Sequence, residues 1–269
     1  MTRIAVVTGA NQGIGRALVE DLATRWSADD LVLLTGRDPS RVADAAAAVH
    51  GSARVEGRVL DVTDSAAIAA LAASLGAVDV VISNATMRMT PDRSQAEQAD
   101  ELIAVSNGAT HAVLRSFAPI LRPGGRLIVV ASSLGTLDHL DARLRPLFED
   151  ASLEQVEAAV AQWQAAIHDG TASDQGWSEW INIPSKVAQV AAVRAVARER
   201  REQDLAADRL IASVCPGLVD TPTSRPWFDD FSQAKTPAQA AKELLDFILA
   251  SPVDPETYGE LVREGKVLS

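Results

Sequence analysis

Short runs rich in Val, Ile and Leu recur along this chain, separated by longer stretches rich in Ala. Arg3–Thr8, Leu31–Gly36, Arg54–Leu60, Val78–Ser83, Arg126–Ala131 and Arg209–Val214 each read as a buried strand. Continuous apolar runs, as opposed to alternating ones, suit parallel strands covered on both faces by helices. Gly13–Trp26, Arg41–His50 and Ser65–Leu75 lie between them as helical segments. Such alternation calls for right-handed crossovers and points to an α/β architecture with a doubly wound parallel sheet. No internal repeat, low-complexity linker or compositional break divides the chain, so residues 1–269 are expected to form a single domain.

One stretch departs from the alternation. Residues 136–181 are longer than a loop and helix start require and are expected to form a helical insertion. Within it Phe148, Leu153, Val156, Val160, Trp163 and Ile167 recur at helical spacing. Ser152 and Gln155 fit a capping box, with Glu149 and Asp150 near the positive helix end. The plain expectation is a helix packed on the main body. Its flanks, Gly135–Pro146 and Asp169–Asn182, are in addition expected to wall a substrate pocket.

Thr8-Gly9-Ala10-Asn11-Gln12-Gly13-Ile14-Gly15 follows the first strand and opens the first helix. Glycines there allow a tight turn and let backbone amides approach a pyrophosphate, to which the helix amino terminus adds positive potential. An ordinary strand-helix turn would not need three glycines at this spacing. At the end of the second strand stands Arg37, followed by Asp38. An acidic residue at that strand end would accept from a ribose 2′-hydroxyl, whereas an arginine suits a 2′-phosphate. The expected cofactor is therefore NADP(H) in preference to NAD(H).

These motifs resemble the short-chain dehydrogenase/reductase family over essentially the whole chain. The resemblance implies a Rossmann-type fold and further cofactor contacts. Asp61-Val62 resembles the family's adenine-contacting pair, and Asn84-Ala85-Thr86 stands where the family writes Asn-Ala-Gly. Pro216-Gly217-Leu218-Val219-Asp220-Thr221 resembles the segment that holds the nicotinamide carboxamide. Asn11-Gln12, Thr35-Gly36-Arg37-Asp38, the insertion and Cys215-Pro216-Gly217 are most similar to the monomeric carbonyl reductase branch. In that branch the insertion covers a surface that tetrameric relatives use for contact, which implies a monomer.

The family's catalytic positions are only half kept. Ser133 and Lys186 match its serine and lysine. Asn182 stands where Tyr-x-x-x-Lys requires the tyrosine that gives its proton to a carbonyl oxygen. The chain's one tyrosine, Tyr258, is far from that site in sequence. A carboxamide donates hydrogen bonds but has no titratable proton near neutral pH, and losing a positioned acid costs about 10² to 10⁴ in rate. Counting back from Pro119 puts Ser106 at the family's asparagine position, with Asn107 one residue and about 100° of helix rotation away. Pro184 is expected to begin the helix, so Asn182 or Ile183 would be its cap, and asparagine is a preferred cap residue.

Another group would then have to supply a proton. His139 has the right ordinary pKa and lies near Ser133 in sequence, though a loop histidine is also a common surface group. Asp174 or Glu179 would anchor a cationic substrate. Trp177, Trp180 and Trp227 either line an apolar pocket or serve packing. Three function classes are open. One is an NADP(H)-dependent reductase of C=O, C=N or activated C=C groups that works without the tyrosine. The others are a redox-neutral cyclase or isomerase that keeps NADP(H) as a structural cofactor, and a silent NADP(H)-binding protein.

The remaining limits come from composition. A net charge of −11 speaks against nucleic acid or an anionic membrane as partner. The single cysteine, Cys215, excludes an internal disulfide and fits a reducing compartment. Met1-Thr2-Arg3 runs straight into a strand, and no apolar run is long enough to span a bilayer. No cluster with metal-ligand spacing stands out. A cytoplasmic protein acting on an apolar or cationic small molecule is expected.

Overall fold

The computed structural model describes residues 2–268. In chain order its strands are β1 (Ile4–Val7), β2 (Leu31–Gly36), β3 (Arg54–Val59), β4 (Val78–Ser83), β5 (Leu121–Val130), β6 (Leu210–Val214), β7 (Leu261–Arg263) and β8 (Lys266–Val267). The helices are α1 (Gly13–Arg25), α2 (Pro39–Ala47), α3 (Ser65–Leu75), α4 (Gln95–Leu102), α5 (Ala109–Phe117), α6 (Leu153–His168), α7 (Asn182–Ala206) and α8 (Pro237–Ile248). All eight strands form one sheet in the order β3-β2-β1-β4-β5-β6-β7-β8. Pairing is parallel up to β7, and β8 closes the edge antiparallel. Val6, Leu34, Ile82, Ile128 and Ile211 are fully buried, as strands covered by helices on both faces must be.

The sheet's winding positions the site. From β1 the chain builds outward through β2 and β3, then crosses back to β4 on the other side. The reversal leaves a crevice beyond the carboxyl ends of β1 and β4, where loops after the strands converge. Asp38 and Asp64 cap α2 and α3 by accepting backbone amides of the first turn.

The insertion is built as its pattern indicates. Both halves of the capping box form, Gln155 N donating to Ser152 Oγ at 3.2 Å and Ser152 N to Gln155 Oε1 at 2.7 Å. Phe148, Leu153, Val156, Val160 and Trp163 are buried, with Ile167 partly so. Trp177 stands edge-on to Phe148 and tilted on Trp163, with ring centroids 6.2 Å and 6.1 Å apart. The helix lies against α7 and α4. Arg115–Glu157 ties it to α5, and Asp100 with Gln164 and His168 ties it to α4.

Several sequence expectations need correction. The third strand is not buried: β3 is the sheet's free edge, and Val59 is 59% exposed. β5 begins at Leu121, because Pro123-Gly124-Gly125 is taken into the strand through an irregular register against β4. β7 and β8 lie outside the sequence expectation altogether. α7 starts at Asn182 rather than Pro184, with Ile181 as its cap. Proline fits in the first turn, where amides have no intrahelical partner. Among the described residues no helix is long and apolar enough to cross a membrane.

Candidate active site

The glycine loop is held from two sides. Gly9 and Gly13 take positive φ, 62° and 57°, which a side chain would strain. A Cβ on Gly15 would lie 2.5 Å from Asn84 Nδ2 and 2.6 Å from Gly9 O, so only glycine lets α1 start there. Asn84 Nδ2 donates to Thr8 O at 3.0 Å and Gly9 O at 3.3 Å, while the amides of Asn84 and Ala85 both donate to Thr8 Oγ1. Asn11 lies over Gly36, and Ile14 packs on the core. The methyl of Thr221 is the one nearby atom that a Cβ on Gly13 would meet, at 3.8 Å. The Pro216–Thr221 segment thus comes up to the loop at Thr221, with Gly217 at φ 77° and Val219 bridged to Lys235.

These features suit a dinucleotide phosphate. Gln12 is the cap of α1 but makes no side-chain cap bond, so the helix's first amides remain available to an anion. The Gln12 side chain instead accepts from the Arg41 guanidinium at 2.6 Å. Arg37, 71% exposed, lies 3.7 Å from Glu101. Asp38 is occupied as the cap of α2, accepting from Arg41 N. Sequence reading missed Arg41. The capped start of α2 brings the Arg41 guanidinium to the Gln12 side chain, while Arg37 precedes the cap and lies near Asp61 and Glu101. Asp61 accepts from Thr63 N and Oγ1, bonds that hold its carboxyl below the usual range with help from the Arg37 charge. Val62 is buried beside it.

Ser133, Lys186 and Cys215 converge under the crevice. Ser133 sits in a 3₁₀ turn, Ser133–Gly135, and its amide donates to Cys215 Sγ at 3.2 Å. A Cβ on Gly135 would be 2.6 Å from Val190 Cγ2 and 3.1 Å from Lys186 O, so the serine turn rests directly on α7. Lys186 is 8% exposed. Burial lowers its pKa to about 8, with Cys215 opposing slightly. Its Nζ donates to Gln189 Oε1 at 2.7 Å.

The asparagine register is the main correction. The helix running from α4 into α5 is interrupted by a π-turn, Ile103–Gly108. Such a turn takes up one extra residue and rotates the helix beyond it. As a result it is the side chain of Asn107, not that of Ser106, that bonds to α7: Nδ2 donates to Ser185 O and Oδ1 accepts from Ser185 Oγ, both at 2.9 Å. The Ser106 hydroxyl is buried without a partner, while its carbonyl accepts from Thr110 Oγ1 at 2.7 Å and Gln189 Nε2 at 3.2 Å.

Asn182 is likewise not a cap. It is the first residue of α7, half-buried, and makes no cap bond. Four residues before Lys186, it lies on the same helix face. His139 is exposed, with Nδ1 2.8 Å from Thr136 Oγ1. Asp138 pairs with Arg145, and Asp174 and Glu179 are exposed. Trp177 belongs to the core of the insertion, whereas Trp180 and Trp227 are half-buried. Tyr258 donates to Asp204 Oδ2 at 2.8 Å. Asp204 is eighteen residues beyond Lys186 along α7, about 27 Å of helix. Tyr258 is therefore removed from the site in space as well as in sequence. Among the described residues no cluster suited to a metal ion occurs.

Comparison with known proteins gives a consistent frame. The sequence profile of the short chain dehydrogenase family matches residues 3–141, just over half of the 269 residues. The chain is 29% identical to carbonyl reductase (NADPH) 1 of Sus scrofa over 283 residues, covering 99% of this chain and 94% of that one. It is 29% identical to carbonyl reductase (NADPH) 3 of Mus musculus over 282 residues, covering 98% and 96%. Among solved structures, salutaridine reductase from Papaver somniferum superposes with a TM-score of 0.81 at 21% identity, covering 96% of this chain and 99% of that one. NADPH-bound carbonyl reductase from chicken fatty liver gives 0.67 at 21%, covering 99% and 98%. At such identities the structural likeness is one of fold.

Proposed function

This chain belongs to the short chain dehydrogenase family, and from that premise we propose that it is an NADP(H)-dependent oxidoreductase acting on a small molecule without the family's tyrosine. The observation that carries this reading is a glycine loop at an uncapped helix start together with a buried lysine, around one missing acid. The uncapped start of α1, with the glycines that let a ligand approach it, fits a pyrophosphate. Arg37 and Arg41 fit a 2′-phosphate. Relatives whose names specify NADPH support the same choice.

When bound, NADPH supplies the hydride. The protein's own residues bind, orient and exclude water. Lys186 carries positive charge at neutral pH and would donate to the nicotinamide ribose, while the Pro216–Thr221 segment would hold the carboxamide. The Ser133 hydroxyl orients the substrate's polar atom. Asn182 donates a hydrogen bond but transfers no proton. The substrate class that fits is one whose carbon accepts hydride without simultaneous protonation by the enzyme, such as an iminium or an activated enone. An ordinary ketone would be reduced poorly. Residues 136–146 and 169–182 would wall the pocket. With α6 lying along α7, the protein is proposed to be a monomer.

The test is to offer NADPH-loaded protein a panel of iminium, enone and ketone compounds and follow the cofactor's absorbance. Oxidation with an iminium or enone and little with ketones is expected. Tight NADPH binding without oxidation by any of them, or with product of unchanged oxidation state, would replace the reductase reading by a silent or redox-neutral one. Arg37→Asp should erase the preference for NADPH over NADH, and equal affinity for both in the unmutated chain would overturn the cofactor assignment.

A further inference from the structure

Gln189 lies on α7 one turn beyond Lys186 and is 3% exposed. Its Oε1 accepts from Lys186 Nζ at 2.7 Å, and its Nε2 donates to Thr110 Oγ1 at 2.9 Å and Ser106 O at 3.2 Å. The orientation of the amide is dictated by its neighbours. The Ser106 carbonyl can only accept, and the Thr110 hydroxyl already gives its proton to that carbonyl at 2.7 Å. Both groups therefore demand the NH₂ end, which leaves the carbonyl end for the ammonium. We propose that Gln189 is the positioning residue of this site, holding Lys186 Nζ as a charged donor aimed at the crevice.

The chemistry suits that role. A carboxamide oxygen accepts from the ammonium but has no titratable proton, so it fixes the lysine without competing for its charge. One of three ammonium protons is engaged and two remain for a ligand. No carboxylate from the packed elements does this work instead. Cys215, at the end of β6, is the titratable neighbour that acts on Lys186. On α5, His111 and Arg115 face Glu157 of α6. The next 3₁₀ turn, Leu137–His139, carries Asp138 paired with Arg145 and His139 paired with Thr136. The π-turn presents Ser106 and Asn107, which are uncharged. Burial alone would drive the ammonium toward neutrality, and its pKa is indeed down to about 8. Gln189 Oε1 is the neutral acceptor that opposes that drift.

The test is made on the free chain. It contains four lysines, so side-chain NMR of lysine-labelled protein can follow Lys186, identified by its loss in Lys186→Met. Gln189→Glu should raise the Lys186 titration midpoint by about one pH unit or more, and the apolar near-isostere Gln189→Leu should lower it by about as much. NADPH affinity of the Leu variant should fall roughly tenfold at neutral pH, and Gln189→Asn should recover part of it. Midpoints that do not move, or that move the same way in both variants, overturn the proposal, since a merely structural glutamine would change stability and leave the titration alone. If the Leu variant does not fold, the Glu and Asn variants decide by the same criterion: a Glu midpoint that fails to rise overturns it. The inference rests on the reading above only for the ligand that Lys186 meets. Failure of the unmutated chain to bind NADPH would overturn that reading, while the lysine titration still judges Gln189.

Discussion

Lys186 carries a stability signature that can be read without any substrate. Its folded-state pKa, about 8, lies below the ordinary 10.5. Between those values the unfolded chain binds more protons, so stability rises with pH across that window, and below it the burial deficit is present in full. Relative to Lys186→Met, the unmutated chain should gain roughly 2 kcal/mol between pH 8 and 10. Denaturant midpoints of the two forms at several pH values measure this, and a difference that stays constant with pH would refute the burial account. Asn182 makes the second residue-scale prediction. As the first residue of α7 it is already helical, so Pro184 need not be altered for a side chain there to approach Lys186. Asn182→Tyr should raise kcat/KM for simple ketones with NADPH by about 10² or more. NADPH affinity must be measured alongside. A variant that binds cofactor as before and gains nothing would show that residue 182 is not the seat of the missing acid.

At the scale of elements, the π-turn decides which side chain serves α7. Asn107→Ala removes two buried bonds and strands Ser185, so a loss of about 2–3 kcal/mol is expected. Ser106→Ala removes a buried hydroxyl that has no partner and should change stability by less than about 0.5 kcal/mol. Urea unfolding of both variants checks the pair, and the reverse order would restore the simple helical register. The reason that register misled is physical. A π-turn differs from α-helix by one hydrogen-bond step, and no residue of Ile103–Gly108 announces it. By contrast β2, β4 and α3 have the bounds that their composition indicates, because apolar runs and an Asp cap are local signals. β7 and β8 are too short to carry a pattern and exist only through their partners. The glycine loop was legible because its glycines are demanded by backbone contact. Gln189 was not, because a buried glutamine and a solvated one are written alike until the fold brings Ser106 and Thr110 to it.

For the whole molecule, the insertion and the far end of α7 matter most. α6 lies along α7 and is tied to α4 and α5 by Asp100 and Arg115. Light scattering at micromolar concentration should therefore return the mass of one chain, and a tetramer's mass would refute this. At the opposite end of α7, the phenol of Tyr258 is buried against Asp204, and desolvation together with that carboxylate pushes its pKa well up. The phenol is thus neutral in the folded chain at pH values where an unfolded tyrosine ionises, and the stability it contributes is lost as pH rises above about 10. Since this is the only tyrosine, the chain carries a built-in optical reporter: tyrosinate absorbance on alkaline titration should appear in one step with the loss of helical circular dichroism. Tyrosinate growing in well before the helices melt would mean that Tyr258 is free of Asp204.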